Sequence, residues 1–521
     1  MAIETPDWVR DSVFYQIFPD RFARSERVVP PGPLEPWDSP PTREGFKGGD
    51  LLGVAEHLDH LQRLGVNAIY FNPIFQSASN HRYHTFDYLA VDPLLGGDAA
   101  LRELLDLAHD RGMKVVLDGV FNHASRGFWP FNHVMETGKA SPYRDWFYLN
   151  HDDLEAGRPL RAFPNQSMID SVDVATVGDD RRLGMRSLST LGYRAWWDLP
   201  ALPKLRTDNP HVREYLLGVA EHWLRFGIDG WRLDVAEEIE DQFWREFRQR
   251  VKGVRQDAYI VAEIWREKPE DLQGDMYDAL MNYPFTEAVI SFVAGSHLDM
   301  EVVRQHFEYT MNIRPEDGPT FARRLEHVFT MYDPAVVAVQ LNLLGSHDTP
   351  RLRTVCSGDI ASVRLATLVQ MTVPGAPSIY YGDEIGMAGA MDPDCRGSFS
   401  WDESAWDRDL FDYIRGAIAL RNGNPTLRHG SFGIVAANGQ VCVYRRADEA
   451  ATFIIAINAG EDARTIDVSL PELAGRSLAR ERWAGIPDLA HPEAGHGTTI
   501  GADGRATLSL AARDGVVLRV I

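Results

Sequence analysis

The chain has 521 residues, of which 44% are hydrophobic, and a formal net charge of −22. This length exceeds one ordinary core, so we expect two or three folded units in a globular protein. The negative charge argues against nucleic acid, whose phosphates require Lys and Arg, and it does not favour an anionic membrane surface. A neutral or cationic ligand is compatible with this charge.

The opening residues, MAIETPDWVRDSVFYQIF, contain no basic segment followed by a long apolar run. No stretch of about 18 apolar residues occurs, so neither a signal peptide nor a transmembrane helix is predicted. The three cysteines, Cys356, Cys395 and Cys442, lack CxxC spacing, which is typical of a reducing compartment and indicates no cysteine metal site. We therefore expect a cytoplasmic protein with no membrane partner.

Eight short apolar runs alternate with helical stretches, the pattern of parallel strands joined by crossover helices. Helices are predicted at residues 54–65 and 100–112, each ending in a glycine shortly before a strand. Eight strands are the number that closes a (β/α)₈ TIM barrel, an α/β fold. In chain order the predicted strands are residues 13–18, 66–72, 114–120, 228–235, 259–265, 276–283, 339–346 and 376–382.

Two regions depart from the barrel pattern. Residues 121–205 are rich in aromatic and turn-forming residues and are longer than one strand-to-helix loop requires. We predict that they form an inserted domain after the third strand, over the carboxyl-terminal face of the barrel. Residues 429–521 alternate short strands with turns and predict a C-terminal antiparallel β-sandwich. The predicted barrel thus comprises residues 1–120 and 206–428.

Acidic side chains end several predicted strands, where a barrel carries its chemistry. The third strand ends near Asp118, the fourth at Asp234 and the fifth at Glu263, while the seventh runs into His347 and Asp348. One such acid is usually a helix cap or a loop contact, but acids from four strands at one rim indicate a functional cluster. Two interpretations of this cluster remain at this point. The acids could be oxygen ligands of Mg²⁺ or Ca²⁺, or they could include the paired carboxylates of a glycoside hydrolase.

The stretch DGWRLDVAE (229–237) places Arg232 and Asp234 on one face of a strand, because alternate side chains point the same way. A purely structural ion pair is one interpretation. The other is that the guanidinium keeps Asp234 ionised for nucleophilic attack, a charge that would oppose an adjacent metal ion. Glu263, which follows an apolar run and precedes Trp265, suits a protonated general acid. We therefore favour glycoside hydrolysis.

Five motifs in a fixed order together resemble the α-amylase family of glycoside hydrolases: DGVFNH (118–123), LPKLR (202–206), GWRLD (230–234), AEIW (262–265) and LGSHD (344–348). The similarity spans nearly the whole chain. Residues 46–88 and 380–403 are similar to the cyclomaltodextrinase, neopullulanase and maltogenic amylase branch. The resemblance implies α-1,4-glucan chemistry on an oligosaccharide substrate.

The resemblance also implies a role for each site residue. Asp234 would be the nucleophile, Glu263 the general acid and base, and Asp348 the residue that holds the glucosyl hydroxyls and stabilises the distorted transition state. Tyr83 would stack on the glucosyl ring, and Arg232 would position Asp234. The substrate-binding set implied by the motifs is Tyr83, His123, Arg232, His347, Asp392 and Arg396.

Four departures from that branch change what we expect. The branch has an extra N-terminal β domain that builds its dimer, whereas here the barrel begins almost at once, so we expect a monomer rather than a homodimer. The Asn- and Asp-rich calcium loop is replaced by RFARSERVVPP (21–31), and although Gly49 and Asp50 persist, we expect no calcium there and no other metal or cofactor. Glu237 stands where the branch has Asn, and Arg266 where it has His, differences expected to affect the acceptor side.

The leading hypothesis is a retaining glycoside hydrolase that acts on maltooligosaccharides, cyclodextrins, pullulan or starch through a covalent glycosyl-aspartate. A transglycosylase with the same site is an alternative, since the intermediate reacts with water or with another sugar, and an exo-acting α-glucosidase is another. A non-catalytic sugar-binding protein is a distant alternative, because Asp234, Glu263 and Asp348 all stand in motif. The sequence does not rank these substrates and leaves α-1,6 cleavage open.

Overall fold

Eight parallel strands form the predicted barrel in the computed structural model, which describes residues 3–165, 185–483 and 498–521. Each strand lies within its predicted segment and is shorter than that segment, so the eight strand predictions are confirmed. The strands are Phe14–Ile17, Ala68–Phe71, Lys114–Gly119, Gly230–Leu233, Tyr259–Ala262, Ala279–Leu280, Leu341–Leu343 and Ala376–Tyr380.

The strands close into a ring. The strands pair in parallel with their neighbours in chain order, except the sixth with the seventh, and the first pairs with the eighth. Between the sixth and seventh strands a parallel bridge joins Met281 to Leu341, and the N–H of Asn282 donates to the carbonyl of Leu341 at 2.8 Å. The carboxyl ends of all eight strands therefore face one rim, the end at which such barrels carry their active sites.

Side-chain alternation explains why these segments form strands. One face of the fourth strand carries Trp231 and Leu233, which are fully buried against the surrounding helices in the main hydrophobic core. The opposite face points into the barrel, where Tyr70, Val116 and Val261 belong to a second buried cluster. Both faces of each strand are thus buried, as expected for a parallel sheet covered by helices.

The α-helices of the described residues lie mainly between these strands. Within that part of the chain, none combines the length and apolar character needed to cross a membrane. Their bounds are Asp7–Arg10, Pro19–Phe22, Leu51–Glu56, Leu58–Leu64, Gly97–Asp110, Trp129–Thr137, His151–Glu155, Met185–Leu191, Pro210–Phe226, Asp241–Val254, Tyr283–Ala294, Met300–Val303, Phe307–Asn312, Gly318–Val328, Pro334–Val337, Leu352–Val355, Ile360–Thr372, Arg408–Gly423 and Pro425–His429.

The helix predicted over residues 54–65 is two helices that meet at His57. The ring nitrogen Nδ1 of His57 lies 2.7 Å from the carbonyl oxygen of Gly53, the acceptor that a continuous helix would offer to the backbone N–H of His57. That N–H bonds to Val54 instead. A side chain therefore replaces one helical hydrogen bond and breaks the helix, which the apolar spacing alone did not indicate.

An inserted region follows the third barrel strand, as predicted, although residues 166–184 lie outside the described part. Short bridges hold it together, for example His123 to Lys204 and Ala195 to Pro203. We keep residues 121–205 as its proposed limits. A hairpin in the preceding connection, Phe75–Ser77 paired with Thr85–Val91, was not predicted.

Two antiparallel sheets form the C-terminal region. Val443 and Ile454 of the larger sheet share a buried cluster with Ile466 and Leu508 of the smaller one, so the sheets pack face to face. The larger sheet contains, in spatial order, Ser431–Asn438, Val441–Ala447, Thr452–Asn458, Asp514–Val520, Ser477–Arg480 and Thr498–Thr499, and the smaller pairs Arg464–Ser469 with Arg505–Leu510.

The connection after the first barrel strand contains a buried lysine. The Lys47 side chain has 0% exposure, and its ammonium donates to the carbonyl oxygens of Pro36 and Ser39, both at 2.7 Å, and to the Ser39 hydroxyl at 2.5 Å. Oxygen atoms gathered around a positive charge are the surroundings that a calcium ion requires. Lys47 therefore supplies a cation to this loop from the protein itself.

Asp50 is not arranged as a calcium ligand either. Its Oδ2 accepts the N–H of Ser25 at 2.8 Å, and its Oδ1 accepts the N–H of Gly53 at 2.7 Å, so it caps the helix Leu51–Glu56. Both oxygens are occupied by backbone donors, as in other helix N-caps. The residues present in this loop do not fit a calcium ion.

We expect a metal chelator to leave the midpoint of thermal unfolding unchanged within about 1 °C. Lys47→Met should lower the free energy of unfolding by about 3 kcal/mol, because buried acceptors lose their donor. Thermal and urea unfolding with and without EDTA measure both effects. Lys139→Met, which removes a lysine with 57% side-chain exposure, is the matched control. A clear fall in the midpoint on adding EDTA would contradict this account of the loop.

Candidate active site

Four carboxyl groups converge at the carboxyl-terminal rim of the barrel. Asp118 lies in the third strand, Asp234 and Glu263 directly follow the fourth and fifth strands, and Asp348 follows the seventh. A cavity of ≈ 410 Å³ opens here and is lined by the last three of these acids. Every predicted site residue except Arg232 lines this cavity, and Arg232 is fully buried beside it.

The Arg232 guanidinium connects three of the acids. Its Nη1 donates to Asp118 and to Asp234 Oδ1, each at 2.9 Å, and its Nη2 lies 2.9 Å from Glu263 Oε2. The backbone N–H of Val235 donates to the same Glu263 oxygen at 3.0 Å. Arg232 and Asp234 thus share one face of the strand, and the arginine fixes the separation of Asp234 and Glu263.

Burial dominates the electrostatics of these acids. It raises the pKa of Asp234 well above the ordinary value, neighbouring carboxylates raise it further, and Arg232 opposes the shift. Burial, together with Glu263, raises the pKa of Asp348 to about 7. The expectation that Arg232 alone keeps Asp234 ionised is therefore incomplete, because one guanidinium faces several carboxylates away from water. Asp234 and Asp348, both with a raised pKa, therefore hold a proton more readily than an isolated aspartate does.

Tyr83 and His347 form a hydrogen-bonded chain beside the acids. The Gln16 amide donates to His347 Nδ1 at 2.9 Å, which makes Nε2 the nitrogen that carries the hydrogen. His347 Nε2 lies 2.7 Å from the Tyr83 hydroxyl, which donates in turn to Asp118 Oδ2 at 2.8 Å. Burial lowers the pKa of His347 well below its ordinary value, so the ring is neutral. The unpredicted hairpin is the element that brings Tyr83 here.

His123 offers a hydrogen-bonding nitrogen to the cavity. Its Nδ1 lies 3.2 Å from the Asn122 amide, and its ring stacks on Trp196 with centroids 5.0 Å apart. Its Nε2 is buried and has no hydrogen-bond partner among the described residues. Burial lowers the pKa of His123 to about 3, so the ring is neutral. This nitrogen is therefore open to a hydrogen bond with a group in the cavity.

Arg396 fixes the other side of the cavity. Its Nε donates to the carbonyl of His347 at 2.9 Å, and its guanidinium also lies 3.5 Å from Asp348 and 3.2 Å from Asp392. Asp392 and Arg396, predicted from their motif, are therefore already linked to the rim acid Asp348. Among the described residues, no group of three or more His, Cys, Asp or Glu side chains is arranged to hold a metal ion.

Aromatic and apolar side chains complete the cavity wall, and the sequence predictions did not place them there. Trp196 and Trp197 are adjacent in the sequence, but no periodic pattern connected them to the barrel rim. His306 and Phe307 lie in the connection after the sixth strand. No acid stands at the end of that strand, so the sequence did not mark this connection as part of the site. The unpredicted lining residues include Trp196, Trp197, Leu199, Trp265, His306 and Phe307.

Comparison with known proteins agrees with this architecture. The family description "Alpha amylase, catalytic domain" matches residues 16–412. A cyclomaltodextrinase of Geobacillus thermopakistaniensis is 41% identical over 484 residues, which are 92% of this chain and 73% of that protein. Neopullulanase 2 of Thermoactinomyces vulgaris is 40% identical over 478 residues, 91% of this chain and 73% of that protein.

A solved structure extends the similarity to the full length of both chains. The debranching enzyme from Nostoc punctiforme is 43% identical with a TM-score of 0.82, and the match covers 99% of this chain and 100% of that one. The barrel, the site motifs and these relatives lead to one assignment. The chain belongs to the α-amylase family.

Proposed function

We propose that this chain is a retaining glycoside hydrolase that cleaves α-1,4-glucosidic bonds of maltooligosaccharides, cyclodextrins, pullulan or starch. The observation that carries the proposal is the contact of one guanidinium, that of Arg232, with both Asp234 and Glu263 at 2.9 Å. Retaining glycosidases need two nearby carboxyl groups, one ionised and one protonated. A common cation holds the two carboxyl groups together, and the cyclomaltodextrinase and neopullulanase relatives support the substrate class.

In the first step Asp234 attacks the anomeric carbon and the glycosidic bond breaks. Asp234 Oδ1 accepts from Arg232, which leaves Oδ2 to form the new bond. Glu263 Oε2 lies 2.9 Å from Arg232 Nη2 and accepts from the N–H of Val235, and in this proposal the other oxygen, Oε1, carries the proton. That proton passes to the glycosidic oxygen as the bonding electrons leave with the departing sugar.

In the second step water replaces the departed sugar. Glu263, now ionised, accepts a proton from the water, whose oxygen attacks the anomeric carbon while the bond to Asp234 breaks. Two displacements leave the product with the α configuration of the substrate. If a sugar hydroxyl replaces water, the same step builds a longer oligosaccharide, which is the transglycosylase alternative.

The surrounding residues bind the glucosyl unit in this proposal. Neutral His123 and His347 hydrogen-bond to sugar hydroxyls without adding positive charge, and Asp348 binds hydroxyls of the ring being distorted. Tyr83 lies parallel to His347, with centroids 5.4 Å apart, and stacks on the apolar face of the sugar. Asp392 and Arg396 bind the next glucose unit.

Cleavage of α-1,6 bonds is a second candidate function. It is favoured by the Nostoc punctiforme debranching enzyme, which this chain matches along its entire length. The exo-acting α-glucosidase and the transglycosylase use the same carboxylates and differ in the products they release.

We expect α-configured products from maltohexaose, β-cyclodextrin, pullulan and starch in the first minutes of reaction, observed by proton NMR. Chromatography separates the alternatives, because glucose alone indicates an α-glucosidase and products longer than the substrate indicate transfer. Maltotriose rather than panose from pullulan indicates α-1,6 cleavage.

Asp234→Asn should lower kcat by about 10⁴-fold, and Asp241→Asn, at a side chain with 62% exposure, is the control. β-configured products would contradict the retaining mechanism, and turnover by Asp234→Asn would contradict the assignment of Asp234 as the nucleophile.

Asp118→Asn should move the acidic limb of the kcat/KM profile to lower pH by on the order of one unit. The charge of Asp118 raises the pKa of Asp234, so removing it allows Asp234 to ionise at lower pH. Profiles on a nitrophenyl α-maltoside measure the shift. Tyr70→Phe removes a 3.0 Å hydrogen bond to the same carboxylate without removing its charge, and should leave the limb in place. A limb displaced to higher pH in Asp118→Asn is the contradicting result.

A further inference from the structure

Two buried amide side chains behind the cleft have no part in the mechanism above. Gln16 lies on the first barrel strand and is 1% exposed, and Asn72 directly follows the second strand and is 0% exposed. The Gln16 amide nitrogen donates to Asn72 Oδ1 at 3.2 Å. Neither is among the described residues that line the cavity. Gln16 and Asn72 thus form a bonded amide pair behind the cavity wall.

Each member of the amide pair donates to one site residue. The second hydrogen of the Gln16 amide goes to His347 Nδ1, 2.9 Å away. The Asn72 amide nitrogen donates to the Tyr83 hydroxyl at 3.0 Å. An amide nitrogen donates hydrogen bonds and does not accept them. The amides therefore fix the direction of both contacts.

These two donors determine where the other hydrogens of the chain point. Neutral His347 accepts at Nδ1, so its one hydrogen is on Nε2, which lies 2.7 Å from the Tyr83 oxygen and 3.1 Å from Asp348 Oδ2. Burial raises the pKa of Tyr83 well above its ordinary value, so the hydroxyl keeps its hydrogen. The Tyr83 oxygen already receives hydrogens from Asn72 and His347. Its own hydrogen therefore points to Asp118 Oδ2, 2.8 Å away.

The opposite tautomer of His347 would undo this arrangement. With the hydrogen on Nδ1, the bare Nε2 would face Asp348 Oδ2, and two acceptors cannot form a hydrogen bond. Tyr83 would turn its hydrogen to Nε2, and the buried Asp118 carboxylate would lose a donor, which costs free energy. The position of one histidine hydrogen thus affects two acids of the site.

We propose that Gln16 and Asn72 are positioning residues that fix the tautomer of His347 and the direction of the Tyr83 hydroxyl. Through these two residues the amide pair gives Asp348 and Asp118 each a hydrogen-bond donor. It also keeps the histidine N–H on the side of the cavity where the sugar hydroxyls are proposed to bind. The inference rests on the proposed function, since it explains how substrate-binding residues are held in the form that binds a sugar.

Nitrogen-15 NMR of histidine-labelled protein reports the tautomer without any substrate. We expect His347, assigned by comparison with His347→Asn, to carry its hydrogen on Nε2 in the wild type. In Gln16→Glu at about pH 8 the hydrogen should be on Nδ1, because a carboxylate accepts where the amide donated. A wild-type protein with the hydrogen on Nδ1 would overturn the inference.

Activity should follow the tautomer. On a nitrophenyl α-maltoside, Gln16→Glu should have a kcat/KM about 100-fold below that of the wild type at about pH 8. At about pH 5 the deficit should shrink to about tenfold, because a protonated glutamate donates to Nδ1 as the amide does. A deficit that is absent, or that is the same at both pH values, would contradict the proposal.

Two uncharged variants separate the roles of the two amides. Gln16→Met and Asn72→Leu each remove a donor without adding an acid, and each should lower kcat/KM about tenfold at every pH. Only Gln16→Met should change the tautomer of His347, because Asn72 donates to Tyr83 instead. Wild-type activity in both variants would overturn the inference.

Gln370→Glu is the matched control. Gln370 lies in the helix Ile360–Thr372, is 2% exposed, and donates from its amide nitrogen to the carbonyls of Asn342 and Ser378 at 2.9 and 3.0 Å. Its kcat/KM per folded molecule, with folding followed by circular dichroism, should stay within about twofold of the wild type at both pH values. A pH-dependent loss like that of Gln16→Glu would overturn the inference. A wild-type protein that is inactive although His347 carries its hydrogen on Nε2 would instead overturn the proposed hydrolase function.

Discussion

One buried guanidinium organises the site. Arg232 contacts Asp118, Asp234 and Glu263, each at 2.9 Å, with no exposed side-chain surface of its own. An unpaired charge in such surroundings would cost several kcal/mol, and removing one partner of a buried pair is strongly destabilising. The arginine and the acids therefore depend on one another for position. This dependence explains why the carboxyl groups of Asp234 and Glu263 lie close together, although they would repel each other if both were ionised.

The barrel makes that contact available. Asp118 and Arg232 are register partners on the third and fourth strands, and Arg232 is the register partner of Val261 on the fifth, two residues before Glu263. A shift of one residue would turn Arg232 outward, where Trp231 and Leu233 now pack against helices. The apolar alternation that specifies the strand thus also specifies which side chains meet in the cleft.

The strand positions were predictable from the alternation of side chains along a strand. The acid cluster was predictable because a barrel carries its active site at the carboxyl ends of its strands. The break at His57 was not, since it depends on one ring nitrogen reaching the Gly53 carbonyl. The position of Trp196 in the cavity wall was not predictable either, because isolated bridges hold the inserted region together and leave no periodic pattern in the sequence. The raised pKa of Asp234 also lay beyond the sequence, since burial and neighbouring acids determine it.

The central claim is that Asp234, held beside Glu263 by Arg232, forms the covalent bond to the sugar. Its most direct test is mass spectrometry of tryptic peptides after incubation with a 5-fluoro maltosyl fluoride, which slows release of the intermediate. Our account predicts a glycosyl adduct on the peptide spanning residues 233–245, located by fragmentation at Asp234. An adduct on another acid, or rapid turnover without any adduct at Asp234, would contradict it.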